Sequence, residues 1–171
     1  MFREMRRKKQ LLSEEESIAI LEKATSGVLA VSGDEGYPYA VPLSYVYEDG
    51  KLYFHGAKSG HKLDAIMAEP KVSFCVIDQD NIIPEEYTTY FRSVIVFGKA
   101  RIIEDEKELQ NAIETLAIKY APNDSAANRE KAIKKEKKYM CMFVLEIEHM
   151  TGKEAIELRR EKLANNKDAQ M

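Results

Sequence analysis

The segment His55-Gly56-Ala57-Lys58-Ser59-Gly60-His61-Lys62 sets two imidazoles, two ammonium groups and two glycines within eight residues. Gly56 and Gly60 let a backbone come close to a ligand. A helix opening just after them presents free N–H groups, which favour an anion. Lys58, His61 and Lys62 add positive charge on flexible stems. Together these groups suit a phosphate. The GxxxxGK[ST] spacing of a P-loop is absent. An ordinary strand-to-helix connection with solvated lysines has the same composition, and spacing alone leaves that alternative open. His55 follows the apolar Leu52-Tyr53-Phe54. It is the nearby group able to move a proton near neutral pH, which makes it the candidate catalytic residue. A structural histidine is the plainer alternative.

Pro38 and Pro42 interrupt the strand upstream of this loop, so much of its backbone is withdrawn from sheet ladders. Free strand backbone beside a Gly/Ser/Lys/His loop could hold a flat heteroaromatic ring and its phosphate tail. Tyr37, Tyr39, Tyr45, Tyr47 and Tyr53 cluster in the same hairpin and read mostly as packing.

Other chemistries find little support. His55, His61 and His149 are scattered and form no metal motif. Cys75 and Cys141 stand far apart among apolar residues and read as small buried groups in a reducing compartment. No Gly-x-Ser-x-Gly elbow, paired-carboxylate motif or kinase signature is present. The basic stretch 129–138 is interleaved with Glu130 and Glu136 and has no aromatic ladder, so it reads as a solvated face. A net charge of −3 and a pI of about 5.7 give no global attraction to nucleic acid or an anionic membrane. No signal peptide or membrane span is recognisable, so the expected location is the cytoplasm.

The elements that must position the loop follow from local signals. Ser13 and Glu16 form a capping box that starts a helix running to about Ala24. Strands are expected at Val28–Val31, Tyr37–Tyr47 and Lys51–His55, the last two joined by a turn at Asp49-Gly50. A short helix spans Ser59–Glu69 and stops at Pro70. Lys71–Ile77 is a buried strand, Asp78–Tyr87 a polar loop, and Thr88–Ile103 a long strand with a bend at Gly98. Asp105 and Glu108 give a second capping box, opening a helix to Tyr120. A basic helix to about Lys138, a strand Met140–Ile147 and a charged C-terminal helix from Thr151 complete the chain. This is α+β with an antiparallel, closed sheet. We read it as one domain over 1–171, with an N-terminal arm at 1–12, a helical insertion at 105–138 and a charged tail at 152–171.

Several segments in order carry a family resemblance: Met5-Arg6-Arg7, the 38–47 strand, Phe54-His55-Gly56-Ala57, Gly60-His61-Lys62-Leu63-Asp64, the 90–100 strand, and Met150-Thr151-Gly152-Lys153. The chain resembles the nitroimidazole-resistance family, within the pyridoxamine-phosphate-oxidase-like flavin proteins. The resemblance implies an antiparallel six-stranded split β-barrel with flanking helices, and a homodimer with two flavins at its interface. It implies that Val41, Pro42, Leu43, Ser44 and Tyr45 face the flavin ring, largely through backbone. His55, Gly56, Ala57, His61 and Lys62 would surround the phosphate and ribityl chain. Arg92, Ser93 and Val94 would line the site, reaching the flavin of the other subunit. There is no clear equivalent of the basic C-terminal residues with which pyridoxamine-phosphate oxidases hold substrate, nor of their basic FMN motif. Gly56 replaces the family's usual small polar residue.

The resulting expectation is an oxidoreductase with FMN as cofactor and FAD as the alternative. It would reduce a small electrophile such as a nitroaromatic with electrons from NADH or NADPH. The competing expectation is a non-catalytic flavin or haem carrier or sensor on the same fold.

Overall fold

A computed structural model describes residues 1–168 as an α+β chain with five helices and one antiparallel sheet of seven strands. The last residues of the expected tail, 169–171, lie outside the described residues. The helices are α1 (Glu14–Lys23), α2 (His61–Ala68), α3 (Glu106–Tyr120), α4 (Ala126–Glu136) and α5 (Ile156–Asp168). The strands are β1 (Ser26–Ser32), β2 (Pro38–Ser44), β3 (Val46–Glu48), β4 (Lys51–Ala57), β5 (Lys71–Ile83), β6 (Thr88–Ile102) and β7 (Met140–Glu154). Their order across the sheet is β2-β1-β5-β6-β7-β4-β3, with every pairing antiparallel.

The count is seven and not six because the expected 37–47 strand breaks at Tyr45. Residues up to Ser44 pair with β1, and residues from Val46 pair with β4. The hydrogen-bonded sheet is therefore open, not closed, with β2 and β3 as its edges. The Tyr45 side chain explains the break. It is fully buried, and its hydroxyl donates to Leu21 O in α1 at 2.8 Å. Burial pushes its phenol well above the ordinary value. The ring sits with Phe54 and Phe74 in an aromatic cluster that Phe143 completes, with centroids 4.8–6.3 Å apart.

Alternation sorts the strands into two faces. Leu29, Phe74, Val96 and Leu145 point to the main core, which α1 and α2 help close. On the opposite face α3 and α4 cover Val46, Tyr53, Met142 and Val144, forming a second core with Ile113 and Leu116. The remainder of that face has no helix on it among these clusters. Val28, Cys75 and Ile95 align there across three strands, as do Ala30, Ser73 and Phe97. Val28 is 38%, Ile95 40% and Phe97 37% exposed.

Local signals account for the boundaries. The α1 capping box is complete, with Ser13 and Glu16 bonding reciprocally. At α3 only half of the expected box forms. Asp105 accepts Glu108 N–H at 2.8 Å, but the Glu108 carboxylate turns to Arg101, which grips it at 2.8 and 3.0 Å. Asp49 and Gly50, both at positive φ, make the tight β3–β4 turn. Residues 78–83, expected in a loop, continue β5 as one side of a long hairpin with β6. β7 likewise runs on past Ile147 to Glu154, so residues 151–154 are strand, and α5 starts only at Ile156. The register shift between Phe97 and Gly98 leaves Glu148 of β7 as the unpaired residue, while β6 keeps its register with β5 through Gly98.

Candidate functional site

The end of β4, the start of α2 and the start of β7 converge on one small cradle. Gly60 caps α2 at φ +133°, a conformation that side-chain-bearing residues rarely adopt. No side chain caps this helix. The N–H groups of Leu63 and Asp64 turn back to Gly60 O at 2.9 and 3.2 Å, leaving the amides of His61 and Lys62 ahead of the first helical bonds. Lys62 folds back over Gly56. A Cβ at position 56 would lie 3.1 Å from Lys62 Cε and 3.5 Å from its Nζ. The bare backbone of Gly56 thus makes room for the ammonium. Cys141 faces Gly56 across the ladder, and its thiol donates to Ala57 O at 3.2 Å. Burial pushes the Cys141 thiol up, while Lys62 and Lys58 pull the other way.

A positive side chain and uncapped helix amides fit a phosphate group. His61 contributes less through its ring than its spacing suggests. The imidazole stacks on Tyr39 with centroids 4.3 Å apart, and its Nε2 lies 3.6 Å from Asp34.

Beside the cradle, β2 divides its residues between faces. Pro42 and Ser44 are exposed, whereas Val41 and Leu43 pack on the main core. The Tyr45 ring is committed to that core, so only its backbone remains for a ligand, and Tyr120 engages that backbone. Tyr45 N–H donates to the Tyr120 hydroxyl at 3.0 Å, and the hydroxyl donates to Thr25 O. His55 and Ala57 are exposed at the end of β4. Ser44 and His55 share the lining of a cleft of about 480 Å³ whose other walls are α3, α4 and Met140.

Arg92, Ser93 and Val94 are not brought to this cradle within one chain. His55 pairs with Met142 and Arg92 with Glu154. Those partners stand twelve residues apart on β7, about 40 Å of extended strand. Val94 is in the main core. Arg92 lines a pocket with α1 residues, and its Nε lies 3.4 Å from the fully buried Glu154 carboxylate. Lys162 reaches the same carboxylate at 2.6 Å, at an angle poor for a hydrogen bond, and also meets Glu16 at 2.5 Å. Among the described residues no group of three or more His, Cys, Asp or Glu is placed to hold a metal ion. No described helix is long and apolar enough to cross a membrane.

A family profile described as pyridoxamine 5'-phosphate oxidase matches residues 13–154. The chain belongs to the pyridoxamine 5'-phosphate oxidase family. The matched span runs from the N-cap of α1 to Glu154, so it includes the cradle, the broken β2–β3 edge and Arg92. No curated protein matches the sequence. Solved structures with this fold include a protein provisionally named a 5-nitroimidazole antibiotic resistance protein from Bacteroides thetaiotaomicron. It is 20% identical, with 84% of this chain and 85% of that one covered and a TM-score of 0.69. A FAD-binding protein from Mesorhizobium loti is 26% identical, covering 85% and 97%, with a TM-score of 0.59. A FAD and haem binding protein from Mycobacterium smegmatis is 21% identical, covering 86% and 73%, with a TM-score of 0.71.

Two parts of this family member's site escape sequence reading. Tyr120 holds the Tyr45 backbone from a helix that reads as an insertion. Met140 and Ile133 join the cleft wall from segments that read as a strand start and a solvated basic helix. Ile133, the buried residue among the basic side chains of α4, is the signal that marks its inward face.

Proposed function

We propose that the protein is an FMN-dependent oxidoreductase that reduces a small electrophile, such as a nitroaromatic, with NADH or NADPH as donor. The observation that carries this reading is Lys62 folded over Gly56 beside the uncapped start of α2. Family membership and structural neighbours named as FAD-binding proteins support it. When bound, the flavin supplies the redox chemistry. Lys62 and the α2 amides hold the phosphate, and the exposed Pro42–Ser44 edge with Ala57 meets the ring. His55, exposed at the cleft, hands a proton to the acceptor. Each two-electron turn oxidises one nicotinamide and converts a nitro group to nitroso with release of water.

The fold reading that goes with this function is a split barrel. The two sheet edges, β2 and β3, are consecutive in the chain and joined through Tyr45, so the segment itself links the ends of the sheet. The assembly is a homodimer. The rows Val28-Cys75-Ile95 and Ala30-Ser73-Phe97 carry no helix, only the Phe2 ring against Phe97, and form a largely apolar face that a second copy would bury. A two-fold pairing would bring the Arg92–Val94 strand of one subunit to the cradle of the other. Sedimentation equilibrium should report a dimer, and Ile95→Asp with Phe97→Asp should give monomers.

Flavin titration tests the cofactor. FMN should bind in the low-micromolar range, about −8 kcal/mol. NADH or NADPH should then bleach the flavin absorbance, and 2-methyl-5-nitroimidazole should restore it. A protein that binds neither FMN nor FAD overturns the reading. The Mycobacterium smegmatis neighbour, named for both FAD and haem, supports a second reading as a carrier. An intense Soret band in the purified protein would favour it.

A further inference from the structure

We propose that the cleft between the α3–α4 hairpin and the outward ends of β2 and β4 binds a neutral aromatic molecule. This deepens the flavin reading by naming the class of acceptor and the wall that selects it.

The cleft is open to solvent and walled mainly by apolar side chains. At about 480 Å³ it lies within the roughly 300–1,000 Å³ of small-molecule sites. Its walls are Ile113, Leu116 and Ala117 of α3, Ala132 and Ile133 of α4, and Met140 of β7. Met140 brings a polarisable thioether suited to aromatic rings. The hairpin is fixed independently of any ligand. Tyr120 ties the end of α3 to Tyr45, and Lys137 after α4 pairs with Glu106 in α3. The cleft is therefore preformed.

Its polar lining sets the charge preference. Tyr120 spends its hydroxyl on backbone, so it offers its ring. Ser44, His55 and Glu136 remain. No lysine or arginine lines the cleft among the described residues. An anionic ligand would lose hydration without gaining a cation and would meet Glu136. A neutral ring with one hydrogen-bonding substituent fits the apolar wall, and directs that substituent to Ser44 and His55.

The test uses a matched pair of fluorescent probes, N-phenyl-1-naphthylamine and its sulfonated counterpart 8-anilinonaphthalene-1-sulfonate. The neutral probe should bind at one site per chain with a blue-shifted emission, at least tenfold more tightly than the sulfonate. Ala117→Phe and Ala132→Phe fill the cleft from different helices and should each weaken the neutral probe at least tenfold. FMN titration and circular dichroism should stay at wild-type values in both. Equal affinity for the two probes overturns the proposal, a comparison that needs no variant. So does unchanged binding of the neutral probe in both folded variants. Selective probe binding by a chain that takes no flavin would keep the cleft and remove the flavin reading. Flavin binding without a probe site would do the reverse.

Discussion

The hydroxyl of Tyr120 accepts the backbone N–H of Tyr45 at 3.0 Å, at the residue where the strand changes partners from β1 to β4. A strand break leaves backbone groups without ladder partners, and unpaired groups away from water are costly. One phenol from α3 serves this break, and Lys119 beside it places its ammonium 4.5 Å from the centre of the Tyr45 ring. Burial lowers the pKa of Lys119. The helical insertion is thereby tied to the edge that flanks the cradle.

Tyr120→Phe should remove this link while preserving the ring. The expected cost is about 1 kcal/mol, at the lower end for an orphaned donor because Tyr120 is itself partly exposed. Urea denaturation measures it. A variant as stable as wild type would show that water takes over the role.

The buried Glu154 carboxylate should matter more. It is fully buried, with Arg92 and Lys162 as its cationic neighbours. Glu154→Ala leaves Arg92 without its carboxylate, while Lys162 keeps Glu16, and should cost about 1–3 kcal/mol in equilibrium unfolding. Adding Arg92→Met should recover part of that loss. A double variant no more stable than the single one would mean that Arg92 is not what the carboxylate compensates.

The acid limb of stability should report Glu16. The hydrogen bond from Lys162 holds its carboxyl below the ordinary value of 4.5, helped by the Ser13 N–H. A depressed folded value stabilises the fold above pH 4.5 and is lost as pH falls through the folded pKa. The melting-temperature gap between wild type and Glu16→Gln should therefore be constant from pH 7 to about 5.5 and shrink below 4.5. A gap that widens on acidification would contradict the assignment.

Much of this architecture is legible in the sequence, for identifiable reasons. Ser13 with Glu16 and Asp49 with Gly50 act within a few residues, so their signals survive without tertiary context. The 78–83 stretch reads as a loop because Asp78, Gln79, Asp80 and Asn81 form a two-stranded arm with little buried face, which leaves no alternation. The Tyr45 break is hidden because its cause is a core aromatic cluster assembled from distant strands. At the candidate site, the glycine and lysine spacing of the loop is local and readable. The engagement of Arg92 by Glu154 and the α3–α4 wall depend on contacts between elements far apart in the chain.

Gly56→Val should separate cradle from fold. The added side chain meets the flexible end of Lys62, which can move aside at little cost in stability. The ammonium is then displaced from its seat. FMN affinity should fall about tenfold, roughly 1.4 kcal/mol, with a melting temperature close to wild type. A large drop in stability with unchanged FMN affinity would show that the glycine serves packing alone.

The most direct measurement is paired titration of wild type and Lys62→Ala with FMN and with riboflavin, which lacks the phosphate. If Lys62 holds the phosphate, the variant should lose about 1.5–3 kcal/mol of FMN affinity, while riboflavin binds as it does to wild type. Equal weakening of both ligands, or no weakening of FMN, would contradict the account.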